Sequence, residues 1–89
     1  MKFGTFKEKW VVYLKHGCPF CNDAKNLLLK RKQRLGEERV NIEILDIRTT
    51  PAPEVSLNNI KFETYPRIFK NSIFIGGFKD LEKLLSKNE

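Results

Sequence analysis

A short apolar strand that runs directly into a helix is the feature that most limits what this chain can fold into. The run WVVYL at residues 10–14 is rich in β-branched and aromatic side chains, which is typical of a strand buried on both faces of a sheet. At about residues 20–35 the apolar positions instead recur on one helical face, with Pro19 in the first turn and Gly36 as a stop signal. Residues 40–47 then have the pattern of a second strand. A strand, a helix and a strand in this order predict two parallel strands joined by a right-handed crossover.

The second half of the chain adds a hairpin and a final helix to this unit. Residues 67–69 and 73–75 are strand-forming segments separated by three polar residues, which predicts a tight hairpin. Residues 54–62 are assigned a short helix, and a glycine pair at 76–77 interrupts the chain before an amphipathic helix that ends near Lys87. The predicted order is β-α-β-α-β-β-α. The expected fold class is therefore α/β, with a four-stranded mixed sheet flanked by helices.

Composition places the chain among ordinary folded proteins. Its 89 residues are 40% hydrophobic and 31% charged, which is too apolar for a disordered chain and sufficient for one domain over residues 1–89. No apolar run reaches the roughly 18 residues of a membrane span. Residues 1–4 are followed by charge rather than by the apolar core of a signal peptide. These features predict an intracellular, cytoplasmic protein that does not contact membranes.

Two cysteines, Cys18 and Cys21, lie at the point where the first strand ends and the first helix begins. The N-terminus of a helix presents unpaired N–H groups and the positive end of the helix dipole, and both favour a thiolate over a thiol. Cys18 is therefore the expected nucleophile, and Lys15 adds positive charge nearby. Cys21, about one turn into the helix, is close enough to attack a mixed disulfide formed on Cys18. The arrangement predicts thiol–disulfide exchange.

Two other interpretations of the cysteine pair stay open at this point. A zinc site needs about four ligands, and His16 is the one further soft ligand in the sequence, so two chains would have to share the metal. Alternatively, both cysteines are buried free thiols with a packing role. We favour redox chemistry because a strand, a turn and a helix surround the pair. His16 is either an exposed turn residue or a group that tunes Cys18.

Three short motifs, CPFC at residues 18–21, TYP at residues 64–66 and GGFKDL at residues 76–81, occur in an order and spacing that match a known family. They resemble the Cys-Pro-Tyr-Cys, the Thr-Val-Pro with a cis proline, and the Gly-Gly-x-x-Asp-Leu of dithiol glutaredoxins. The resemblance covers about residues 8–88. It implies a thioredoxin-like fold and a thiol–disulfide oxidoreductase in which the two cysteines are catalytic.

The resemblance also implies that glutathione is the reductant and co-substrate, with no metal cofactor. The Lys15 ammonium would meet the glycyl carboxylate, and the backbone of Tyr65 would pair with the cysteinyl residue. The helix N-terminus near Phe78 would donate N–H groups to the γ-glutamyl carboxylate, and Asp80 would take the γ-glutamyl ammonium. The glutathione-binding residues implied in this way are Lys15, Phe20, Thr64, Tyr65, Pro66, Gly77, Phe78, Lys79 and Asp80.

The implied partners are glutathione and proteins that carry disulfides or glutathione mixed disulfides, with ribonucleotide reductase as one candidate. Roles in electron transport and cell redox homeostasis follow, and the chain is expected to be a monomer. Three alternatives stay open. One is an electron donor to ribonucleotide reductase that a flavoprotein reductase reduces. Another is an iron–sulfur module ligated by Cys18 and external glutathione. The last is a non-catalytic interaction domain.

The chain departs from the family pattern at several positions. Phe20 lacks the hydroxyl of the family tyrosine, and Tyr65 replaces a smaller valine. Glu63 stands where many members have arginine, which alters the charge beside the substrate groove. Residues 49–53 do not resemble the family helix, so a contact normally supplied from that segment is unassigned.

Basic residues are concentrated in the first half of the chain, where positions 1–45 hold ten basic and five acidic residues. The cluster KRKQR at residues 30–34 is expected to form a solvated helix face. It also allows electrostatic steering of glutathione or of an acidic redox partner. Nucleic-acid binding is not expected, because no nucleic-acid fold motif is present and one short patch supports only weak phosphate contacts.

Overall fold

The computed structural model describes residues 8–87, and within that range the chain forms six strands and two helices. Residues 1–4, on which the predicted absence of a signal peptide depends, lie outside the described range. In chain order the elements are β1 (Glu8–Leu14), α1 (Pro19–Leu35), β2 (Val40–Asp46), β3 (Val55–Leu57), β4 (Ile60–Phe62), β5 (Arg67–Lys70), β6 (Ile73–Gly76) and α2 (Phe78–Lys87).

Four of the strands form one mixed sheet in the order β2-β1-β5-β6. β1 pairs in parallel with β2 and antiparallel with β5, and β5 pairs antiparallel with β6. In the turn between β5 and β6, Asn71 and Ser72 have φ values of 51° and 72°, as the favoured two-residue hairpin turns require. The predicted α/β class with a four-stranded mixed sheet is confirmed.

Both helices pack on one face of this sheet and enclose the core. Trp10 and Val12 of the central strand are fully buried, while the residues that alternate with them point to the other face. The core consists of Trp10, Val12, Ala24, Leu28, Val40, Ile68, Leu81 and Leu85. Burying side chains of this size typically stabilises a fold by about 1.5–3 kcal/mol each, so this shared core fixes both helices against the sheet. Neither helix within residues 8–87 is long and apolar enough to cross a membrane.

Residues 54–62 form a hairpin, so the prediction of a helix in this segment is wrong. β3 and β4 pair antiparallel as a separate two-stranded sheet, and Asn58 and Asn59 join them with φ values of 56° and 66°. Asparagine visits this left-handed conformation more readily than most residues, and two such residues in succession make a tight turn. Val55, Ile60 and Phe62 are also types that favour strands. Turn chemistry and β-propensity therefore outweigh the weak helical pattern.

The hairpin reaches the sheet face opposite to the helices through a row of aromatic rings. Tyr13 lies 5.9 Å from Phe69 between ring centroids, Phe69 lies 5.2 Å from Phe74, and Phe74 lies 5.1 Å from Phe62 of β4. Such pairs add about 0.5–1.5 kcal/mol each beyond the area that they bury. Within residues 8–87, helices therefore cover one face of the sheet, and Phe62 attaches the hairpin to the other.

One member of the basic cluster at residues 30–34 is buried, and for that residue the predicted solvated face is wrong. Arg31 is 9% exposed and makes a bidentate ion pair with Glu8, at 2.6 Å and 2.9 Å. The indole N–H of Trp10 donates to the same carboxylate at 2.9 Å. The Arg31 hydrogen bond is the main reason why the pKa of Glu8 lies below its ordinary value of 4.5. A local charge pattern does not reveal this pairing, because 23 residues separate the partners.

We predict that Glu8→Gln lowers the free energy of unfolding by about 3–5 kcal/mol, because it removes the carboxylate that compensates the buried Arg31 charge. The matched control is Asp46→Asn, which breaks an Asp46–Arg48 pair of 2.8 Å whose side chains are 38% and 65% exposed. Water screens this second pair, so its loss should have little effect. Urea denaturation of the parent and both variants measures the difference.

The same comparison at low pH checks the electrostatic cause. Because folding lowers the pKa of Glu8, its ion pair stabilises the fold fully above the ordinary value of 4.5 and is lost as the pH falls through the lower folded value. The difference in the free energy of unfolding between the parent and Glu8→Gln should therefore decrease in acid. Equal losses of stability in the two variants at neutral pH would contradict the assignment.

Candidate functional site

Cys18 is the N-cap residue of α1, in the turn that follows β1. Its backbone is extended, with φ −102° and ψ 109°, Pro19 begins the helix, and the Cys21 N–H donates to the Cys18 sulfur at 3.2 Å. The sulfur thus takes the place of the capping oxygen that accepts a helical N–H group. The Cys18 thiol also donates to the carbonyl oxygen of Tyr65 at 3.5 Å. The sulfur is half-buried, and the helix N–H groups would support negative charge on it.

Cys21 lies in the first turn of α1 and is only 2% exposed. Burial raises the pKa of Cys21 from the ordinary 9.0 to about 12. The hydrogen bond with Cys18 adds to the increase, while a backbone hydrogen bond with Lys15 opposes it. Cys21 is therefore a thiol at neutral pH. The two cysteines differ in solvent access although only three positions separate them.

A groove of about 320 Å³ lies beside Cys18, next to the Tyr65 carbonyl that the thiol contacts. Eight of the nine residues that the family resemblance assigns to glutathione line this groove, and Lys15 is the exception. One wall is aromatic, where the rings of Phe20 and Phe78 stack at 5.8 Å between centroids. The residues lining the groove are Phe20, Phe62, Thr64, Tyr65, Pro66, Gly77, Phe78, Lys79 and Asp80.

The peptide bond that follows Tyr65 is cis, as the resemblance predicted. Arg67 holds the turn around it. The Arg67 guanidinium lies 4.4 Å from the Tyr65 ring centroid, and it donates to the Thr64 carbonyl at 3.3 Å and to the Pro53 carbonyl at 2.9 Å. The cation–π contact favours one position of the tyrosine ring. The side chain that replaces the family valine is therefore fixed beside Arg67, and its carbonyl faces the Cys18 sulfur.

A glycine pair turns the chain from β6 into α2. Gly76 has a φ of 122°, and a Cβ atom there would overlap the Asp80 carboxylate. The Gly77 N–H donates to Asp80 Oδ2 at 2.9 Å, and the Leu81 N–H donates to the Gly77 carbonyl at 3.0 Å. Asp80 thus reaches back over the helix N-terminus as the acidic half of a capping box does. This arrangement places the first turn of α2, with its outward N–H groups, along the groove.

A separate hollow of about 470 Å³ is lined by both cysteines and by Lys15, His16 and Asp46. Arg48 donates a pair of hydrogen bonds to Asp46 and holds the pKa of that carboxyl down to about 2. Lys15 therefore lies near the reactive sulfurs, but on this hollow and not in the groove with the other eight residues.

Sequence reasoning missed two residues at the site. Phe62 lines the groove from β4, and the signal for it was Asn58-Asn59 between two short alternating strands. Asp46 ends β2 and lines the hollow, as expected where the carboxyl ends of parallel β1 and β2 meet at one sheet edge. Within residues 8–87, no group of three His, Cys, Asp or Glu side chains is arranged to hold a metal ion.

Comparisons with known proteins agree with this geometry. The family model named glutaredoxin matches residues 10–75. Glutaredoxin 1 of Rickettsia bellii is 34% identical over 79 residues, covering 83% of this chain and 74% of that protein. Glutaredoxin-1 of vaccinia virus is 37% identical over 80 residues, covering 83% of this chain and 68% of that protein. A solved structure of E. coli glutaredoxin superposes with a TM-score of 0.70 at 26% identity, over 90% of this chain and 95% of that one.

The structural match concerns the fold, and the family match concerns the family to which the chain belongs. The structural match extends over the mixed sheet and both helices, so the fold is thioredoxin-like, as glutaredoxins are. The family match includes the turn that carries the two cysteines. The chain therefore belongs to the glutaredoxin family, and with its cysteine pair at positions 18 and 21 it is a thiol–disulfide oxidoreductase.

Proposed function

We propose that this oxidoreductase takes its electrons from glutathione and reduces protein disulfides and glutathione mixed disulfides. The observation that carries the proposal is the groove beside Cys18, because three segments distant in sequence line it together. Glutathione needs a partner for its extended backbone and sites for its charged ends. The Tyr65 backbone, the first turn of α2 and the Asp80 carboxylate supply groups of these kinds.

The first chemical step uses the Cys18 sulfur as the nucleophile. The Cys18 thiolate attacks one sulfur of the substrate disulfide, a new S–S bond forms as the old one breaks, and the departing thiolate takes up a proton. The Cys21 N–H, 3.2 Å from the Cys18 sulfur, is placed to stabilise the thiolate before the attack. When the substrate is a glutathione mixed disulfide, the protein thiol leaves and glutathione stays bonded to Cys18.

Two routes return the enzyme to its reduced state. In one, a second glutathione attacks the glutathione bound to Cys18, so that glutathione disulfide leaves and the Cys18 thiolate is restored. In the other, Cys21 loses its proton, attacks the mixed disulfide on Cys18 and releases the reduced protein. The resulting Cys18–Cys21 disulfide then takes two electrons and two protons from two glutathione molecules, which leave as glutathione disulfide.

The proposed reaction suits a compartment in which glutathione keeps thiols reduced, such as the cytoplasm. Its partners are proteins with accessible disulfides or with glutathione attached, ribonucleotide reductase among the candidates, and its roles are electron transport and redox homeostasis. A reductase-fed electron donor would use the same two cysteines. Lys15 lines the neighbouring hollow with both cysteines and not the groove itself, so the groove alone does not supply the cation proposed for the glycyl carboxylate.

We predict that Cys18→Ser lowers glutathione-dependent activity to less than about 1% of the parent rate, because it removes the nucleophile. Cys21→Ser should keep activity on a glutathione mixed disulfide, since glutathione itself can complete that cycle. The same variant should lose reduction of a protein disulfide, which needs the second cysteine. Formation of glutathione disulfide on each substrate measures both effects.

Two outcomes of this assay would count against the proposal. A Cys18→Ser protein that keeps the parent rate would exclude Cys18 as the nucleophile. A parent protein that turns over with a thioredoxin-reductase system but not with glutathione would replace glutathione by the reductase as the electron source.

We predict that iodoacetamide labels the reduced, folded protein once per chain, at Cys18. Cys21 resists because it is 2% exposed and its pKa is about 12, so it remains a thiol up to about pH 10. In denaturant both cysteines should react, which provides the control for reagent and time. Mass spectrometry of the labelled protein locates the modification, and rapid labelling of Cys21 in the folded protein at pH 8 would contradict the assignment.

We predict that Gly76→Ala raises the KM for glutathione about tenfold, because the added Cβ displaces the Asp80 carboxylate that lies at the groove. Gly36→Ala is the matched control. Gly36 also has a positive φ, 111°, but a Cβ there meets nothing within 4 Å, so this variant shares the backbone strain without the collision. An equal KM in the two variants would show that Asp80 does not take part in binding glutathione.

A further inference from the structure

The groove beside Cys18 has an apolar wall that the chemistry of glutathione does not explain. Four of the residues lining it are aromatic, namely Phe20, Phe62, Tyr65 and Phe78. The Phe20 ring remains 50% exposed although it stacks on a neighbouring ring. The charged side chains in the lining are one cation and one anion, Lys79 and Asp80. The groove therefore presents mainly apolar carbon and no net charge.

The β3–β4 hairpin supplies one end of this wall. Its register pairs Val55 with Phe62 and Leu57 with Ile60, so these four apolar side chains share one face of the hairpin. The Phe62 ring is fixed in the groove, because it packs on the aromatic row of the sheet and lies against Gly77.

Ile60 extends the wall beyond the groove. It lies two positions before Phe62 on the same face of β4, about 6.6 Å away along the strand. Its side chain is 70% exposed, the highest value among the large hydrophobic residues within residues 8–87. An apolar strip of two side chains, Phe62 in the groove and Ile60 in solvent, thus lies on one face of the hairpin.

Glutathione has no side chain that would cover this strip. Its γ-glutamyl and glycyl ends are charged, and its cysteine brings a single methylene group to the reacting sulfur. The hydrophobic effect rewards apolar area that is removed from water, so an apolar wall is matched by an apolar side chain. The groove therefore has capacity for a larger, less polar substrate than glutathione.

We propose that the wall formed by Phe20, Phe62, Phe78 and Ile60 binds an aromatic or branched aliphatic side chain that lies close to the reacting cysteine of a polypeptide disulfide. The wall is continuous with the site at which Cys18 reacts, so one substrate can engage both. The inference rests on the proposed function only in using the same groove.

Strand geometry places such a side chain at the wall. An extended polypeptide can pair with the Tyr65 backbone as glutathione would, because main-chain pairing does not depend on side chains. Side chains two residues apart in an extended segment lie on one side, about 6.6–6.8 Å from each other. A polypeptide whose cysteine lies at Cys18 therefore presents the side chains two residues away on the same side as that cysteine, toward the groove.

The test is a single turnover of the pre-reduced protein with symmetric disulfide dimers of two synthetic peptides. The peptides have one cysteine and are identical except for Phe or Ser two residues to each side of it. Cys18 attacks one peptide sulfur and the first peptide leaves as a thiol. Cys21 then releases the second and leaves a Cys18–Cys21 disulfide. We expect the Phe peptide to reach its half-maximal rate at about tenfold lower concentration than the Ser peptide.

Two isoleucines of nearly equal exposure allow a matched comparison of variants. Ile60 is 70% exposed on the β3–β4 hairpin, and Ile73 is 68% exposed at the turn of the β5–β6 hairpin. Ile60→Ser should reduce the preference for the Phe peptide about threefold, whereas Ile73→Ser should leave it unchanged. Phe62→Leu should also reduce it, and circular dichroism verifies that this variant keeps the fold.

Equal half-maximal concentrations for the two peptides would overturn the inference, and so would equal changes in the preference for the Phe peptide in Ile60→Ser and Ile73→Ser. A third contrary result is a protein that sediments as a dimer, loses the dimer in Ile60→Ser and does not distinguish the peptides, since Ile60 would then contact a second copy of the chain. The single turnover needs no glutathione, so this inference and the proposed function fail separately. A clear preference for the Phe peptide without glutathione turnover would support this inference alone. Glutathione turnover without a peptide preference would support the proposed function alone.

Discussion

The site depends on where the chain holds one sulfur atom, at the N-terminus of α1 and against the carbonyl of Tyr65. β1 is the second strand of the four-stranded sheet and pairs with β2 on one side and β5 on the other, so its end cannot shift without breaking two ladders. α1 is fixed by Ala24 and Leu28 in the core. The short turn between these elements therefore holds Cys18 in one position. Because β5 begins directly after the cis peptide bond, the same sheet also fixes the carbonyl that the sulfur meets.

Features that depend on local sequence could be predicted, and features that depend on distant partners could not. β1, α1 and the β5–β6 hairpin follow from periodicity and turn chemistry, which act within about 20 residues. The burial of Arg31 depends on Glu8 and Trp10, and no pattern within α1 reveals those partners. The hairpin at residues 54–62 is a different case. Its Asn-Asn turn was present as a local signal, but each strand has only three residues, too few to establish a period.

The β3–β4 hairpin contributes both to the packing on the second face of the sheet and to the lining of the groove. On the sheet face away from the helices, rings from β1, β5 and β6 meet Phe62 instead of a helix. The same ring lies against Gly77, the residue at which the chain turns into α2. One side chain therefore joins the packing of the second face to the groove. The β3–β4 hairpin thus supplies the groove residue that the motifs did not predict.

The groove has polar and apolar parts, and the two proposals assign these parts to different substrates. Under the proposed function, the Tyr65 backbone and the N–H groups of α2 would bind peptide and carboxylate groups, which glutathione and any polypeptide share, so these contacts cannot by themselves separate the two. Discrimination must come from groups that only one of them can satisfy. In that proposal Asp80 would offer a carboxylate to the free ammonium of a γ-glutamyl residue, whereas the aromatic wall would contribute free energy only when an apolar side chain covers it. Both proposed determinants lie in the groove beside Cys18, so a change in either would alter substrate choice without altering the chemistry at that sulfur.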